Sequence, residues 1–216
     1  MTAPARRPSP FAALLASPGV VEVFERRSRF GFMAFHGGSL EERTDVIAAQ
    51  AAAASGSSYY GVLLPPDLRW HIPSAQVCPA DSARFTAFLH HVDAVVAVHG
   101  FGRDGYWTAL LLGGSNRALA AHLAGAIRPA LPGYTVVTDL HHIPAGLRGL
   151  HPDNPCNLPT SGGVQLELPP RVRGNTPRCP PPDRAGLVPD AQALVTALTG
   201  AARSWPAPGC LGAHAS

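Results

Sequence analysis

The sequence contains no lysine, so all 17 of its basic residues are arginines. Enzymes that form a Schiff base with a lysine amine, including pyridoxal-phosphate enzymes, are therefore excluded, as are P-loop NTPases. Charged residues are also scarce, at 14% of 216, whereas 46% of the residues are hydrophobic. This composition excludes a disordered chain and provides enough apolar side chains for one sizeable core.

Cysteine is rare, and the four cysteines are far apart in the sequence, at positions 78, 156, 179 and 210. None of them has the CxxC or other close spacing of a metal site, and in a chain of this length an even number is poor support for disulfides. We therefore expect free thiols.

Long apolar runs are missing too, because no stretch approaches the roughly 18 to 20 residues that cross a bilayer. Arg6 and Arg7 precede an apolar run at 11–16, but this run is shorter than a signal-peptide core and lacks a cleavage site. We expect a cytoplasmic protein without a membrane partner, and secretion stays open as an alternative.

The net charge of +3 and the pI of about 8.9 are only mildly basic. The arginines are scattered, except for the group Arg26, Arg27 and Arg29. A nucleic-acid-binding surface is therefore not expected, whereas an acidic small substrate or polymer is compatible with the composition.

Strand and helix patterns alternate along the chain, which predicts an α/β layer fold. A capping-box spacing of Ser39 and Glu42 marks the start of the first long helix, and Asp81 or Ser82 would cap the next. Predicted strands cover 20–24, 30–35, 57–64, 94–98, 106–112, 134–139 and 163–168, and predicted helices cover 40–54, 81–89, 115–127 and 190–205.

We expect a single domain over residues 1–216. A segment rich in proline and arginine, at about 169–189, is predicted to be an irregular insert before the last helix. Flexible ends are expected at about 1–9 and 206–216. The sequence does not indicate an oligomeric state.

Two apolar strands each end in a His-Gly pair, at His36 and at His99. Because α/β sheets place ligands at the carboxyl ends of strands, we expect these histidines to converge. Glu41 follows His36 across a Gly-Gly turn that can fold back tightly. Two histidines and one glutamate form the ligand set of a catalytic zinc site. The alternatives are structural histidines and a Glu41 that only favours the dipole of the following helix.

Glu167 is one of five glutamates and lies in the otherwise apolar strand at 163–168. A buried carboxylate requires a partner or a function. We predict that Glu167 is the general base that activates zinc-bound water. The alternative is a carboxylate that caps the strand or pairs with an arginine.

Several blocks of residues occur in a distinctive order and separation. They are FHGGSLEERTDVIA at 35–48, VAVHG at 96–100, Gly113-Gly114 with Asn116-Arg117, NPCN at 154–157 and SGGVQLEL at 161–168. In combination they resemble the poly-γ-glutamate hydrolase family, over about residues 10 to 205. The founding member of that family comes from a bacteriophage, so a phage-related enzyme is expected.

The resemblance implies a three-layer αβα sandwich with a mixed central sheet, similar to the zinc carboxypeptidases. It also implies hydrolysis of γ-glutamyl amide bonds in poly-γ-glutamate with one zinc ion. By motif position it implies that His36, Glu41 and His99 bind the zinc and that Glu167 is the general base. The same four residues follow independently from the two strand ends, the Gly-Gly turn and the isolated glutamate in an apolar strand.

Four polar residues are candidates for binding a substrate carboxylate, because arginine offers a forked pair of donors that matches it. Asn116 and Arg117 are similar, by analogy only, to the Asn-Arg pair of zinc carboxypeptidases, which precedes the third ligand there and follows His99 here. Arg103 and Arg171 are the other two. Loops at 65–80, 100–105 and 141–162 are expected to surround the site.

Two other functions remain open on the sequence. A zinc carboxypeptidase or deacylase acting on a small acyl-amino acid would use the same metal site with a different pocket. A metal-free module that binds an acidic polymer would leave His36 and His99 structural. The GxGxxG match at 100–105 is followed by a strand pattern instead of a helix, so a dinucleotide site is rejected.

Overall fold

The structure, a computed structural model, describes residues 8–177 and 179–206. Its strands form one sheet in the order β1-β3-β2-β4-β7-β5-β6. The strands are β1 (Val21–Glu25), β2 (Ser28–Gly38), β3 (Ser57–Leu64), β4 (Ala94–Gly100), β5 (Ala109–Leu112), β6 (Thr135–Val137) and β7 (Gly163–Leu168). The α-helices are α1 (Pro10–Leu15), α2 (Thr44–Ser55), α3 (Ala83–His91), α4 (Arg117–Ala130) and α5 (Pro189–Ser204).

The sheet is mixed. Strands β3, β2, β4 and β7 are parallel to one another, so their carboxyl ends lie at one edge of the sheet. Strand β1 runs antiparallel to β3, and β5 runs antiparallel to β7 and parallel to β6. The polar ends of β2, β4 and β7 are therefore neighbours, as the carboxyl-end argument predicts.

Helices cover both faces of the sheet. On one face α2, α4 and α5 pack on β-strand side chains such as Phe32 and Leu166. On the other face α1 and α3 pack on Met33, Phe35 and Tyr60. Alternation along each parallel strand puts apolar residues on both faces, as expected for a sheet buried on both sides. The predicted three-layer αβα architecture is confirmed.

Helix α2 begins later than the sequence predicts, at Thr44 instead of near residue 40. Ser39 does not cap it, because the Ser39 hydroxyl donates to the carbonyls of Pro65 and Leu68. The helix starts after Arg43, which has a left-handed backbone with φ of 71°. Strand β2 continues to Gly38, and the chain then needs several residues to fold back before it can become helical.

The cap of the next helix is predicted correctly, since the Ser82 hydroxyl accepts from the amide of Phe85 at 3.1 Å. Strand β5 is shorter than predicted. Aromatic residues such as Trp107 favour strands, yet Trp107 is 49% exposed and the strand begins only at Ala109, where β6 and β7 provide partners. Since this loop leads into a strand, the rejection of a dinucleotide site stands.

The apolar run at 11–16 mostly forms α1, in which Phe11 and Leu14 are buried against α3 and the sheet. Between β7 and α5 the described residues form turns without a helix or strand, as predicted for the insert. Cys78, Cys156 and Cys179 have free thiols. Cys210 and most of the predicted flexible ends lie outside the described residues. Within 8–177 and 179–206 no helix has both the length and the apolarity to cross a membrane.

Candidate metal centre

His36 lies near the carboxyl end of β2, where the strand departs from regular pairing. The register of β2 with β3 shifts between Ala34 and Gly37, which marks a bulge. In a regular strand His36 would share a face with Phe32 and Ala34, whereas here its ring lies near the ring of Phe35. Bulges redirect side chains next to functional sites, and this one directs His36 to the site.

The loop after β2 brings Glu41 back to the same point. The Glu41 amide donates to the His36 carbonyl at 2.9 Å, which closes a tight turn. Gly38 makes the turn possible, because its φ is +69° and a Cβ there would lie 2.3 Å from the Leu64 carbonyl oxygen. The Glu41 carbonyl in turn accepts from the hydroxyl and amide of Thr44 at the start of α2.

His99 and Glu167 come from adjacent parallel strands and are paired directly in register. Alternation along β7 places Gln165 and Glu167 on one face and Val164, Leu166 and Leu168 on the other, where they pack under α2, α4 and α5. The ends of β4 and β7 therefore present an imidazole and a carboxylate side by side. Both side chains are buried.

The two histidines and Glu41 converge on one point. His36 Nδ1 lies 2.9 Å from Glu41 Oε1, and His99 Nδ1 lies 3.4 Å from Glu41 Oε2. One ligand atom from each of the three residues lies within 4.8 Å of the others, the spacing of a group that can hold a metal ion. Glu41 precedes α2, whose first-turn acid is Asp45, and its Oε2 accepts from the Gly100 backbone amide, so the interpretation of Glu41 as a first-turn acid is wrong.

The hydrogen bonds of His36 indicate that a cation belongs here. Its Nε2 must donate to the carbonyl of Ile72, at 2.8 Å, because a carbonyl oxygen only accepts. A neutral His36 therefore turns a bare Nδ1 lone pair toward a Glu41 oxygen at 2.9 Å. Two acceptors this close repel each other unless a proton or a metal ion lies between them. The Ile72 carbonyl also fixes the ring orientation, as partners of metal-binding histidines do.

His99 adds an atom without a partner. Its Nε2 is buried and has no hydrogen-bond partner among the described residues. Buried polar atoms in native proteins are nearly always paired, so an unpaired imidazole nitrogen beside two other ligand groups is typical of a ligand-binding site. The donor set of two imidazoles and one carboxylate suits a divalent transition metal such as zinc.

The charges in the cluster depend strongly on one another. Burial by itself would raise the pKa of Glu41, but the charges and hydrogen bonds of His36 and His99 hold it below its ordinary value. Burial would lower the pKa of His99, and the Glu41 carboxylate overcomes this effect and raises it. Protons therefore compete with a metal for His99 as the pH falls.

Glu167 is in a different electrostatic environment. Burial raises its pKa above the ordinary value, the nearby charge of His99 lowers it, and Glu41 raises it further. No arginine among the described residues forms an ion pair with it, and its carboxylate accepts a hydrogen bond from the Gln165 amide at 2.7 Å. The interpretation of Glu167 as the partner of an arginine is therefore wrong. A buried carboxylate beside two imidazoles has the properties of a general base.

A cavity of about 640 Å³ opens above these residues. Its walls come from the three loops that the sequence analysis expects there, through residues such as His71, Phe101 and His151. Short 3₁₀ turns at Ser74–Gln76 and Ala145–Leu147 shape two of these loops. The insert at 169–189 contributes nothing to the lining among its described residues.

Family comparison agrees with this geometry. A model of the family described as poly-gamma-glutamate hydrolase matches residues 17–176, most of the chain and all of β2, β4 and β7. The chain belongs to this family.

Solved structures show the same fold. The chain is similar to a bacteriophage poly-gamma-glutamate hydrolase, with 22% identity and a TM-score of 0.69, over 86% of this chain and 89% of that one. It is also similar to YNDL in its zinc-free, apo form, with 20% identity and a TM-score of 0.69, over 86% of this chain and 90% of that one. Comparison with curated protein sequences gives no significant match.

The structure does not bring the predicted carboxylate-binding residues of this poly-gamma-glutamate hydrolase family member into the cavity. Asn116 caps α4 by accepting from the Leu119 amide. Arg117 donates to the carbonyls of Leu112, Gly114 and Thr138. These residues line a separate hollow with Ser161 and Trp205, and their role in substrate binding stays a prediction.

Arg171 and Arg103 differ in position. The guanidinium of Arg171 lies over the ring of Tyr134, 5.1 Å from its centroid, in a hollow lined by Trp107 and residues of the insert. Arg103 is exposed in a hollow that shares Phe101 and Ala145–Leu147 with the main cavity. Of the four candidates, Arg103 is therefore the one that the fold places beside the cavity.

The polar residues of the cavity lining that the sequence did not predict include His71, His151, Asn154 and Gln165. The ring of His71 lies 4.6 Å from that of His36, and burial lowers its pKa. One signal was available for Gln165, because a residue two positions before Glu167 on a strand shares its face. For the other three, only the folding of the loops decides that they reach the cavity.

Proposed function

We propose that residues 1–216 form one zinc-dependent hydrolase domain that cleaves γ-glutamyl amide bonds of poly-γ-glutamate. In this proposal His36, Glu41 and His99 hold the metal and Glu167 is the general base. The observation that carries it is the convergence of His36, Glu41 and His99, whose ligand atoms lie within 4.8 Å of one another beneath an open cavity. Membership of the family supports the substrate.

The identity of the metal rests on the donor set. Two imidazoles and a carboxylate, with further coordination positions open to a cavity, form a common catalytic zinc site. The structurally similar YNDL, solved in a zinc-free form, supports zinc as the metal. A zinc ion in such a site supplies Lewis acidity, which acidifies water and polarises an amide carbonyl.

Glu167 provides the proton transfers. Its carboxylate lines the cavity and is paired in register with the metal-ligand candidate His99. As an ionised base it accepts a proton from the attacking water, and as an acid it returns that proton to the leaving nitrogen. Burial raises its pKa, which makes it a stronger base than an exposed glutamate and favours both transfers near neutral pH.

The substrate is an acidic polymer, and the proposal requires at least one cationic contact for its carboxylates. Arg103 beside the cavity is our candidate, since an exposed guanidinium can form a bidentate pair with a carboxylate. A partly open cavity bounded by loops also leaves room for a polymer to extend beyond the cleaved bond.

The proposal is tested by metal analysis and by depolymerisation of poly-γ-glutamate. We expect one zinc per chain in the wild type, a higher melting temperature with zinc than with chelator, and cleavage of the polymer that chelation abolishes. The variant His99→Ala should lose both the metal and the activity. Viscosity or gel electrophoresis of the polymer measures the cleavage.

His90→Ala is the matched control, because it removes an exposed histidine of α3 that lies outside the cavity lining. It should keep zinc and turnover. A wild type that binds no zinc, or a His99→Ala variant that keeps it, would refute the metal site. Faster cleavage of α-linked polyglutamate or of a small acyl-amino acid would instead favour the carboxypeptidase or deacylase alternative.

A further inference from the structure

A chain of buried hydrogen bonds runs from the loop at 154–157 to the general base. The side-chain NH₂ group of Asn154 donates to Gln165 Oε1 at 2.7 Å, and the side-chain NH₂ group of Gln165 donates to Glu167 Oε1 at 2.7 Å. Asn154, Gln165 and Glu167 are 3%, 4% and 3% exposed. Burying an uncharged amide is costly unless it is hydrogen-bonded, so this series of buried hydrogen bonds points to a structural or functional role.

The direction of the chain is fixed at its far end. The backbone amide of Cys156 donates to Asn154 Oδ1 at 3.1 Å, and a backbone amide can only donate. Asn154 must therefore turn its NH₂ group toward Gln165, which must accept with Oε1 and turn its own NH₂ group toward Glu167. Every amide orientation follows from one backbone donor.

Packing holds Gln165 in this position. Gly149 lies against its side chain so closely that a Cβ there would be 2.7 Å from both Cβ and Oε1 of Gln165. The Gly149 carbonyl accepts from the Asn157 amide at 2.7 Å, which ties this backbone to the loop that carries Asn154. The glutamine has little freedom to rotate away from Glu167.

The other oxygen of Glu167 remains available. Among the described residues the hydrogen bond from Gln165 goes to Oε1, and none is donated to Oε2. Glu167 lines the cavity together with His36, Glu41 and His99. One carboxylate oxygen is thus fixed by the protein, and the second is left to act on water or substrate.

We propose that Gln165, oriented by Asn154, is a positioning residue that holds the Glu167 carboxylate in its reactive orientation. This inference rests on the proposed role of Glu167 as general base. Gln165 would act through Glu167 and not on the substrate, although it also borders the cavity. A hydrogen bond to the ionised form also favours the charge that a base must carry, against the effect of burial.

Two variants test the chain at different points. Gln165→Met keeps the length of the side chain and removes the donor. Asn154→Asp keeps the acceptor for Cys156 and removes the donor toward Gln165. Because the new carboxylate can only accept, Gln165 is expected to turn its NH₂ group toward it and to present Oε1 to Glu167.

We expect each variant to lower kcat by about tenfold to a hundredfold, the usual effect of losing a hydrogen bond to a charged group. KM and zinc content should be unchanged. A role in substrate binding would raise KM instead, and a merely structural role would lower the melting temperature without a selective loss of kcat. Either of these results would overturn the proposal.

Double variants give the decisive measurement. If Gln165 acts only through Glu167, adding Gln165→Met to Glu167→Gln should reduce kcat no further, and adding Asn154→Asp to Gln165→Met should also have no effect. Losses of kcat that multiply in the double variants would contradict a connected series of hydrogen bonds from Asn154 to Glu167. Normal turnover in Glu167→Gln alone would refute the general base itself, whereas a slow Glu167→Gln with a normal Gln165→Met would refute only the positioning role.

Gln192→Met is the matched control. The side-chain amide of Gln192 on α5 also donates to a carboxylate, Oδ2 of Asp183 in the preceding insert, at 2.9 Å, but this pair is exposed and outside the cavity lining. The same substitution there should leave kcat, KM and zinc content at their wild-type values. A comparable loss of turnover in this variant would attribute the effect of Gln165→Met to a general disturbance of the fold.

Discussion

Charged side chains lie at both ends of the parallel strands. At one end they neutralise each other, and at the other end they do not. At the amino end Arg29 of β2 and Asp93 before β4 form a two-point ion pair, with Arg29 Nε 2.7 Å from Asp93 Oδ2. Thr160 adds a hydrogen bond to the same carboxylate. At the carboxyl end His36, Glu41 and His99 face one another instead.

The two clusters differ in whether each carboxylate and imidazole already has a partner of opposite charge or a hydrogen-bond partner. The amino-end carboxylate meets a permanent cation whose side chain is 60% exposed, so its charge is neutralised within the chain and by solvent. At the carboxyl end His36 Nδ1 and Glu41 Oε1 lie 2.9 Å apart, a contact that requires a proton or a metal ion between them, and an imidazole nitrogen of His99 is left without a partner among the described residues. A cluster whose members satisfy each other indicates a structural role, and one that lacks a cation indicates a binding site.

Among substitutions at the two ends, removal of the general base Glu167 should reduce kcat the most. Glu167→Gln keeps the size of the side chain and can still accept from Gln165, so we expect an intact fold and unchanged zinc content. The loss of general acid and base catalysis should lower kcat by about 10² to 10⁴, with little change in KM. Steady-state kinetics on poly-γ-glutamate together with metal analysis measure both. Loss of zinc in this variant would show that Glu167 is itself a ligand.

The same variant should gain stability when the metal is absent. Burial raises the folded-state pKa of Glu167 above its ordinary value of 4.5. The resulting stabilisation is therefore complete at low pH and is lost as the pH rises through the folded-state pKa. In chelator, Glu167→Gln should melt above the wild type at neutral pH, by roughly 2 to 4 °C for each kcal/mol of relieved desolvation.

This stability difference should shrink as the pH falls and vanish below 4.5. Melting curves of the two chelated proteins across this range test the sign. A variant that is less stable than the wild type at neutral pH would mean that the Glu167 carboxylate is satisfied in the folded protein and does not resemble an incomplete site.

The smallest effect is expected at the amino end. Asp93→Asn removes one charge of the pair with Arg29, whose hydrogen bond lowers the pKa of Asp93. The stabilisation is present at neutral pH and lost as the pH falls, the reverse of Glu167. We expect a decrease in melting temperature of no more than about 2 °C at neutral pH, because the Arg29 side chain is 60% exposed and solvent screens the pair.

Turnover and zinc content should not change in Asp93→Asn, and its stability difference from the wild type should disappear in acid. A large loss of kcat in this variant would show that the amino-end pair contributes to catalysis, and it would contradict its purely structural role.

Much of the site could be predicted from local pattern. Apolar strands that end in His-Gly place His36 and His99 at one sheet edge, because parallel strands align their carboxyl ends. The isolated glutamate in an apolar strand predicts the burial of Glu167, which is 3% exposed. These inferences need only periodicity and the geometry of parallel sheets.

The helix start near Ser39 could not be predicted in the same way. Its capping-box spacing is genuine, but Ser39 donates to Pro65 and Leu68, and the chain first turns Glu41 onto His36. Contacts with distant residues are stronger here than a local propensity of about 1 kcal/mol. Arg117 lies outside the cavity for a related reason, since its guanidinium is held by backbone carbonyls that sequence spacing does not reveal.

Local pattern predicts the alternating layers, the sheet edge that carries the candidate site and the four residues grouped there, because these depend on short-range periodicity, strand ends and the Gly-Gly turn before Glu41. Three features appear only in the folded chain: the bulge by which His36 leaves the strand alternation, the contact of its Nδ1 with a carboxylate, and the hydrogen bonds that connect Asn154 and Gln165 to Glu167. Those features depend on where loops distant in sequence meet, and hydrogen bonds with specific direction form only once that packing is complete.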